Sequence, residues 1–320
     1  MQYSTFAAID IGSYDVILEI FEISKKQGIR SVDKICHRME LGKDTYTLGK
    51  IRPEMEEELC RVLADFVRIM EGYRVDDYRA TASSAISEAS NSLYVLGKIH
   101  QLTGLSVTVL SNSEQRFLSY KALAAMEDNF NKIIEKGTAI LDLDGGSFQI
   151  SLFDKDALVT TQNIRMGSLR IRERLAGIQS ETEHYEEMVE ELIWNEVSSF
   201  KKMYLKDRKI ENIMLIGDVF TDSVYQNIEE KTTKIISREN FNTWYEKIIR
   251  QSPMELAVKL GIPLENASLM YPSAVIYKCL IDMMGAEHIW IPGVHMTRGI
   301  AYEYAEQMKL PMTMAKRKNS

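Results

Sequence analysis

The chain has 320 residues, 45% of them hydrophobic and 27% charged, and a formal net charge of −7 at pH 7. That is the composition of an ordinary globular protein with room for two hydrophobic cores. It weighs against broad nucleic-acid binding, and no apolar run approaches the length of a membrane span. The three cysteines, Cys36, Cys60 and Cys279, show no paired spacing, so neither a zinc site nor a disulfide framework is indicated. The N-terminus enters a strand-like run with no basic-then-apolar leader, and a cytoplasmic location is expected.

In chain order, residues 6–23 read as a β-hairpin, two apolar runs broken by Gly12-Ser13. A third strand is expected near Val32–Met39. Pro53 opens a helix that runs to Glu71, with Leu59, Val62, Leu63, Phe66 and Met70 at helical spacing. Tyr78–Ala82 reads as a short buried strand, followed by a Ser/Ala turn and a helix from Glu88 to Thr103. A further strand, Val107–Leu110, ends in Ser111-Asn112-Ser113-Glu114, where Ser or Asn caps the next helix. A second hairpin spans 138–154. Helices follow at 168–176 and 182–204, a strand at Asn212–Ile216, and several helices between 220 and 286. A strand at His288–Ile291 precedes a closing helix from Arg298 to Met308. Lys316-Arg317-Lys318 reads as a frayed, solvated tail. Strands alternating with helices imply an α/β fold, and the hairpins make each sheet mixed.

The two hairpins carry nearly the same message. Ile9-Asp10-Ile11-Gly12-Ser13 returns as Leu141-Asp142-Leu143-Asp144-Gly145-Gly146-Ser147. An apolar run ending in Asp and a tight small-residue turn presents backbone N–H groups as a nest for anions, above all phosphate. A duplicated protein with a phosphoryl ligand in a cleft between its lobes is therefore expected. The division anticipated is 1–124, with 299–320 packing back on it, and 125–298. Arg165, Arg170, Arg172 and Arg174 follow the second hairpin. They suit either a solvated helix face with Glu173 as partner or a phosphate contact.

These motifs, in this order, resemble the exopolyphosphatase and guanosine pentaphosphate phosphohydrolase (Ppx/GppA) family. Asp10-Ile11-Gly12-Ser13 is similar to its first phosphate loop, and Ala82–Asn91 to its Ala-Thr-Ser-Ala-Val-Arg-x-Ala-x-Asn stretch. Ser111–Glu114 resembles the Ser-Gly-x-Glu turn, Asp142–Gln149 the second loop Asp-Ile-Gly-Gly-Gly-Ser-Thr-Glu, and Gly167–Glu173 the Gly-Ser-Val-Arg-Leu-Thr-Glu segment. The resemblance covers nearly the whole chain. It implies two duplicated actin-like (ribonuclease H-like) lobes, mixed sheets flanked by helices, in a short two-domain form.

It also implies hydrolysis of a terminal phosphoanhydride in inorganic polyphosphate or guanosine pentaphosphate. Magnesium or manganese would be held by Asp142, with Asp10 as a further candidate; Asp144, which the family's loop does not have, offers a second carboxylate ligand beside Asp142. Glu114 would orient or deprotonate the attacking water, with Asp142 also catalytic. Gly12, Ser13, Gly145, Gly146, Ser147 and Arg170 would bind phosphate. Neither nucleic acid nor membrane is an implied partner, and a homodimer is suggested.

The chain departs from the family within its motifs. Ser87 stands at the position of a phosphate-binding arginine, Asp144 at a loop glycine and Gln149 at the glutamate that ends the loop. Tyr14-Asp15 replace Asn-Ser, and Gly217-Asp218-Val219-Phe220-Thr221 replaces a glycine-rich segment. Most of these changes weaken a polyanion site unless Arg170, Arg172 or Arg298 supplies the missing cation. A catalytically impaired relative that binds nucleotide or polyphosphate is the second reading, and an actin-like kinase the third.

Overall fold

The computed structural model describes residues 3–26, 28–126, 130–176, 185–206, 208–227 and 235–308. Packing divides the chain into two units, Met1–Asp128 with Val294–Ser320, and Asn129–Gly293. The expected tail at Lys316–Lys318 and the first residues of the helix expected from 182 lie outside the described residues.

The first unit runs β1 (Ser4–Ile11), β2 (Asp15–Ser24), β3 (Gly28–Arg38), α1 (Leu41–Leu48), α2 (Pro53–Tyr73), β4 (Asp77–Ala82), α3 (Ser84–Ser87), α4 (Ser92–Thr103), β5 (Val107–Val109) and α5 (Asn112–Met126). Its sheet has the order β3-β2-β1-β4-β5. The hairpin strands pair antiparallel, and β4 lies parallel to both β1 and β5. Both strands of the hairpin are almost wholly buried, which their unbroken apolar runs require. α2 starts with Pro53 in its first turn and turns Leu59, Val62, Leu63, Phe66 and Met70 into the core.

The second unit runs α6 (Phe130–Ile134), β6 (Thr138–Leu143), β7 (Phe148–Asp154), β8 (Ala157–Ile164), α7 (Ser168–Arg174), α8 (Tyr185–Phe200), β9 (Asn212–Ile216), α9 (Val219–Asn227), β10 (Ile235–Ser237), α10 (Arg238–Ile249), α11 (Pro253–Leu260), α12 (Leu264–Met284) and β11 (His288–Trp290). A π-helical turn, Lys201–Leu205, continues α8. The sheet order is β10-β11-β9-β6-β7-β8. Read outward from its hairpin, it repeats the 3-2-1-4-5 order of the first unit and adds one antiparallel edge strand, β10. The fold is thus α/β with two mixed sheets flanked by helices.

The closing helix α13 (Met296–Gln307) belongs to the first unit. A Cβ on Gly299 would lie 2.3 Å from the Leu118 carbonyl oxygen, so glycine is what lets α13 approach α5. Tyr304 stacks on Phe6 of β1 with ring centroids 4.0 Å apart. At the start of α13, the Thr297 hydroxyl donates to the buried Glu19 carboxylate at 2.5 Å, and Ser31 donates to its other oxygen at 2.6 Å.

The described residues differ from the sequence expectation in several elements. The helix expected from Glu88 to Thr103 begins at Ser92, after the short α3. Asn91 interrupts it because its side chain bonds both the amide and the carbonyl of Ile51. α1, α6, β8 and β10 were not anticipated.

Candidate phosphate-binding site

In the first unit, Asp10 is the penultimate residue of β1, and Thr81 of β4 places its hydroxyl 3.4 Å from Asp10 Oδ1. The turn that follows is closed by the Gly12 amide, which donates to the Asp15 carbonyl at 2.9 Å. The Gly12 N–H therefore serves the turn itself. Ser13 is fully buried, and its hydroxyl lies 2.8 Å from the Tyr46 phenol oxygen and 3.4 Å from Ser84 Oγ. Tyr46 comes from α1, and sequence reading missed it. Ser87 is exposed, with its hydroxyl 3.5 Å from the Ser84 carbonyl.

Glu114 stands in the first turn of α5, and its carboxylate Oε2 accepts from the Ser111 amide at 2.8 Å and the Ser111 hydroxyl at 2.7 Å. The Glu114 amide returns a bond to Ser111 Oγ at 3.3 Å. This is a capping box. Ser252 and Glu255 build the same arrangement at the start of α11. The Ser111 amide and hydroxyl hold the Glu114 carboxyl below the ordinary glutamate range, with Arg79 adding to the effect. Glu114 is exposed and anionic at neutral pH, better suited to orienting a water than to taking its proton.

In the second unit, Asp142 of β6 pairs across the sheet with Gln149 of β7 and lies beside Ile216 of β9. The turn repeats the first one, with the Asp144 amide donating to the Ser147 carbonyl at 2.9 Å. Asp144 thus occupies the structural place of Gly12. Its carboxylate Oδ1 accepts from the Gly145 amide at 2.6 Å, taking up a donor that an anion would otherwise use. Gly167 buttresses this loop: a Cβ there would lie 2.2 Å from the Asp144 carbonyl oxygen. Gln149 is buried, and its Oε1 has no hydrogen-bond partner among the described residues.

The arginines have protein partners. Arg170 donates through Nε to the Gly146 carbonyl at 2.8 Å, anchoring the loop. Arg172 pairs with Glu173 at 2.6 Å and donates to Ser268 Oγ at 2.7 Å. Arg298 Nε lies 3.9 Å from Glu19 Oε1.

Gly217, at φ +103°, lies against Asp142, and a Cβ on it would come within 2.6 Å of Asp142 Oδ1. Glycine here keeps that flank of the carboxylate clear. A hard carboxylate oxygen is the donor type that a magnesium-type cation takes. Asp144 commits one carboxylate oxygen to the Gly145 amide and so locks its own turn. Among the described residues no group of three His, Cys, Asp or Glu side chains is arranged to hold a metal. The adjacent Asp218 is buried at the start of α9, where Oδ1 accepts from the Phe220 amide at 3.1 Å and the Thr221 amide at 3.2 Å.

Two sheets that share one strand order, each led by an Asp-headed hairpin turn, define a duplicated α/β protein with mixed sheets flanked by helices. The chain belongs to the Ppx/GppA phosphatase family, whose family model matches residues 19–308. It is 21% identical over 310 residues to a bifunctional 3-dehydroquinate synthase/phosphatase of Fusobacterium nucleatum, spanning 88% of this chain and 44% of that protein. It is 25% identical over 144 residues to exopolyphosphatase 1 of Mycobacterium leprae, 45% of this chain and 41% of that protein. The chain thus matches less than half the length of these relatives. Among solved structures, an exopolyphosphatase from Cytophaga hutchinsonii superposes with a TM-score of 0.82 at 17% identity, covering 97% of this chain and all of that one. The Ppx/GppA family member of Aquifex aeolicus gives 0.76 at 18% identity, with 97% and 100% covered. No helix among the described residues is long and apolar enough to cross a membrane.

Proposed function

We propose that this chain is a metal-dependent phosphoanhydride hydrolase that releases the terminal phosphate of inorganic polyphosphate or guanosine pentaphosphate. The observation that carries the reading is the pair of Asp-headed turns on duplicated sheets in a chain that the Ppx/GppA family model matches from residue 19 to 308. The exopolyphosphatase names of the Mycobacterium leprae and Cytophaga hutchinsonii relatives support polyphosphate as the substrate class.

Cleaving a phosphoanhydride needs positioned phosphoryl groups, neutralised oxygens and a water aimed in line. Ser13 in the first unit, and Gly146 and Ser147 in the second, would contact phosphoryl oxygens. Arg170 would act by holding the second loop in shape. Asp142 would hold a divalent cation directly or through water, with Asp10 as its counterpart in the first unit. When bound, that cation supplies positive charge to the phosphoryl oxygens. Glu114, ionised and fixed by Ser111, would orient the attacking water.

The test is phosphate release from long-chain polyphosphate and from guanosine pentaphosphate, with magnesium or manganese and with a chelator. Metal-dependent release from either substrate is expected. Stabilisation by these ligands without any release would mark a binding protein and overturn the hydrolase reading.

A further inference from the structure

The geometry points to Phe117 of α5 as the residue that stacks on a nucleobase, which makes guanosine pentaphosphate the substrate that this face of the helix fits. This rests on the functional reading above, which names two substrates, and selects the one that carries a base.

Phe117 is 51% exposed. Single exposed apolar side chains are common and carry no argument by themselves; the position of this one does. Among the described residues it is the one large exposed apolar side chain on an element that bears a residue of the proposed site. It follows Glu114 by three positions, so the two are surface neighbours with Cβ atoms about 5–6 Å apart. Side chains on a helix lean toward its N-terminus, and the ring therefore lies over the turn that holds Glu114. Lys121 leans the same way and sets its Nζ 4.5 Å from the centre of the Phe117 ring. Lys121 is in turn held by Glu306 of α13. The ring is thus backed on one side by a pinned ammonium, and among the described residues no second aromatic or cationic group stacks on it.

Inorganic polyphosphate presents phosphoryl oxygens along its whole length and has nothing to lay on a phenyl ring. A guanine base has a π-face, and stacking on an aromatic side chain is a contact open to every base. The phosphate contacts of this chain favour the same substrate. Ser87 stands in place of a guanidinium, and Asp144 brings a carboxylate to the Gly145 amide. With phosphate recognition weakened at these positions, affinity has to come from another part of the ligand, and the base is that part. A stack on Phe117 lies away from the bond that breaks. It is made equally before and during the reaction, so it acts on KM and not on kcat.

The experiment compares guanosine pentaphosphate with inorganic polyphosphate, which has a terminal anhydride and no base, in wild type, Phe117→Ala and Phe117→Trp. KM and kcat are read for each substrate, and Kd replaces KM for a ligand that binds without turnover. Phe117→Ala should raise KM for guanosine pentaphosphate about 5- to 150-fold, the loss of one base stack. Its kcat, and its KM for polyphosphate, should stay within about twofold of wild type. Phe117→Trp keeps a stacking surface and should hold KM for guanosine pentaphosphate at or below the wild-type value. An unchanged KM for guanosine pentaphosphate in Phe117→Ala, an equal rise for both substrates, or wild-type action on polyphosphate alone would each overturn the role of Phe117. Wild type that is neither active on nor stabilised by either substrate would overturn the functional reading instead, and it is measured before any variant.

Discussion

Replacing Asp144 is the sharpest perturbation of the second loop. Its Oδ1 sits 2.6 Å from the Gly145 nitrogen, inside the concavity that the repeated turn should offer to an anion. A phosphoryl oxygen bonded to the same turn would lie about 5 Å from that carboxylate, taking an ordinary hydrogen-bond length. Two like charges at that separation repel by roughly 1–3 kcal/mol across effective dielectrics between a protein surface and water. Asp144→Gly, which restores the residue found at the equivalent Gly12, should therefore lower the KM for polyphosphate about 5- to 150-fold at low salt. The gain should shrink as salt is added. Asp144→Asn separates two causes, because it removes the charge but keeps an oxygen for the Gly145 amide, and most of the gain should remain. The assay is phosphate release against polyphosphate concentration at several ionic strengths. An unchanged or higher KM in both variants would refute the electrostatic argument. Loss of metal-dependent activity in Asp144→Asn would show that Asp144 is a metal ligand and not a turn lock.

Two stability effects follow from the neighbouring segment. Gly217→Ala places a Cβ 2.6 Å from both Asp142 Oδ1 and the Leu143 carbonyl oxygen, at a φ of +103°. It should cost about 2–4 kcal/mol in urea unfolding, and a loss below about 0.5 kcal/mol would contradict this packing. Burial pushes the Asp218 carboxyl up from 3.8 to about 7; Asp222 adds to the rise, while Ser273 and the Phe220 and Thr221 amides oppose it. The unfolded chain then ionises first, so stability is full at low pH and declines as pH rises from about 4 to about 7. Tyr277 places its hydroxyl 3.5 Å from Asp218 Oδ1. Asp218→Asn keeps the cap on α9 and should flatten the fall in Tm between pH 5 and 8; an equal fall in both proteins would rule out Asp218 as its source.

The hairpins and their order were legible because each is an apolar run interrupted by Asp and a Gly-Ser turn. α1 was hidden because Gly42, Thr45 and Thr47 form helices poorly, and side-chain bonds such as Thr45 to Ala85 hold it in place. Tyr46 was lost with it. β8 escaped because its turn places Lys155 and Asp156 at φ +52° and +60°, a two-residue turn without the usual Gly or Asn. The substitutions at Ser87, Asp144 and Gln149 were visible as departures in charge. That Asp144 spends its carboxylate on Gly145, and that Arg170 holds a loop carbonyl, depends on side-chain directions that no spacing encodes.

The most direct test of the hydrolase account is Glu114→Gln beside Glu255→Gln. Both glutamates close the same capping box, and glutamine can still accept from the Ser amide at that position. Each substitution should therefore leave Tm nearly unchanged. Glu114→Gln should lower kcat for phosphate release about 10- to 150-fold, the range for loss of one hydrogen bond from the water to a charged acceptor, while Glu255→Gln should not alter it. If Glu114→Gln retains wild-type turnover, Glu114 is a helix cap like Glu255, and the proposed mechanism is wrong.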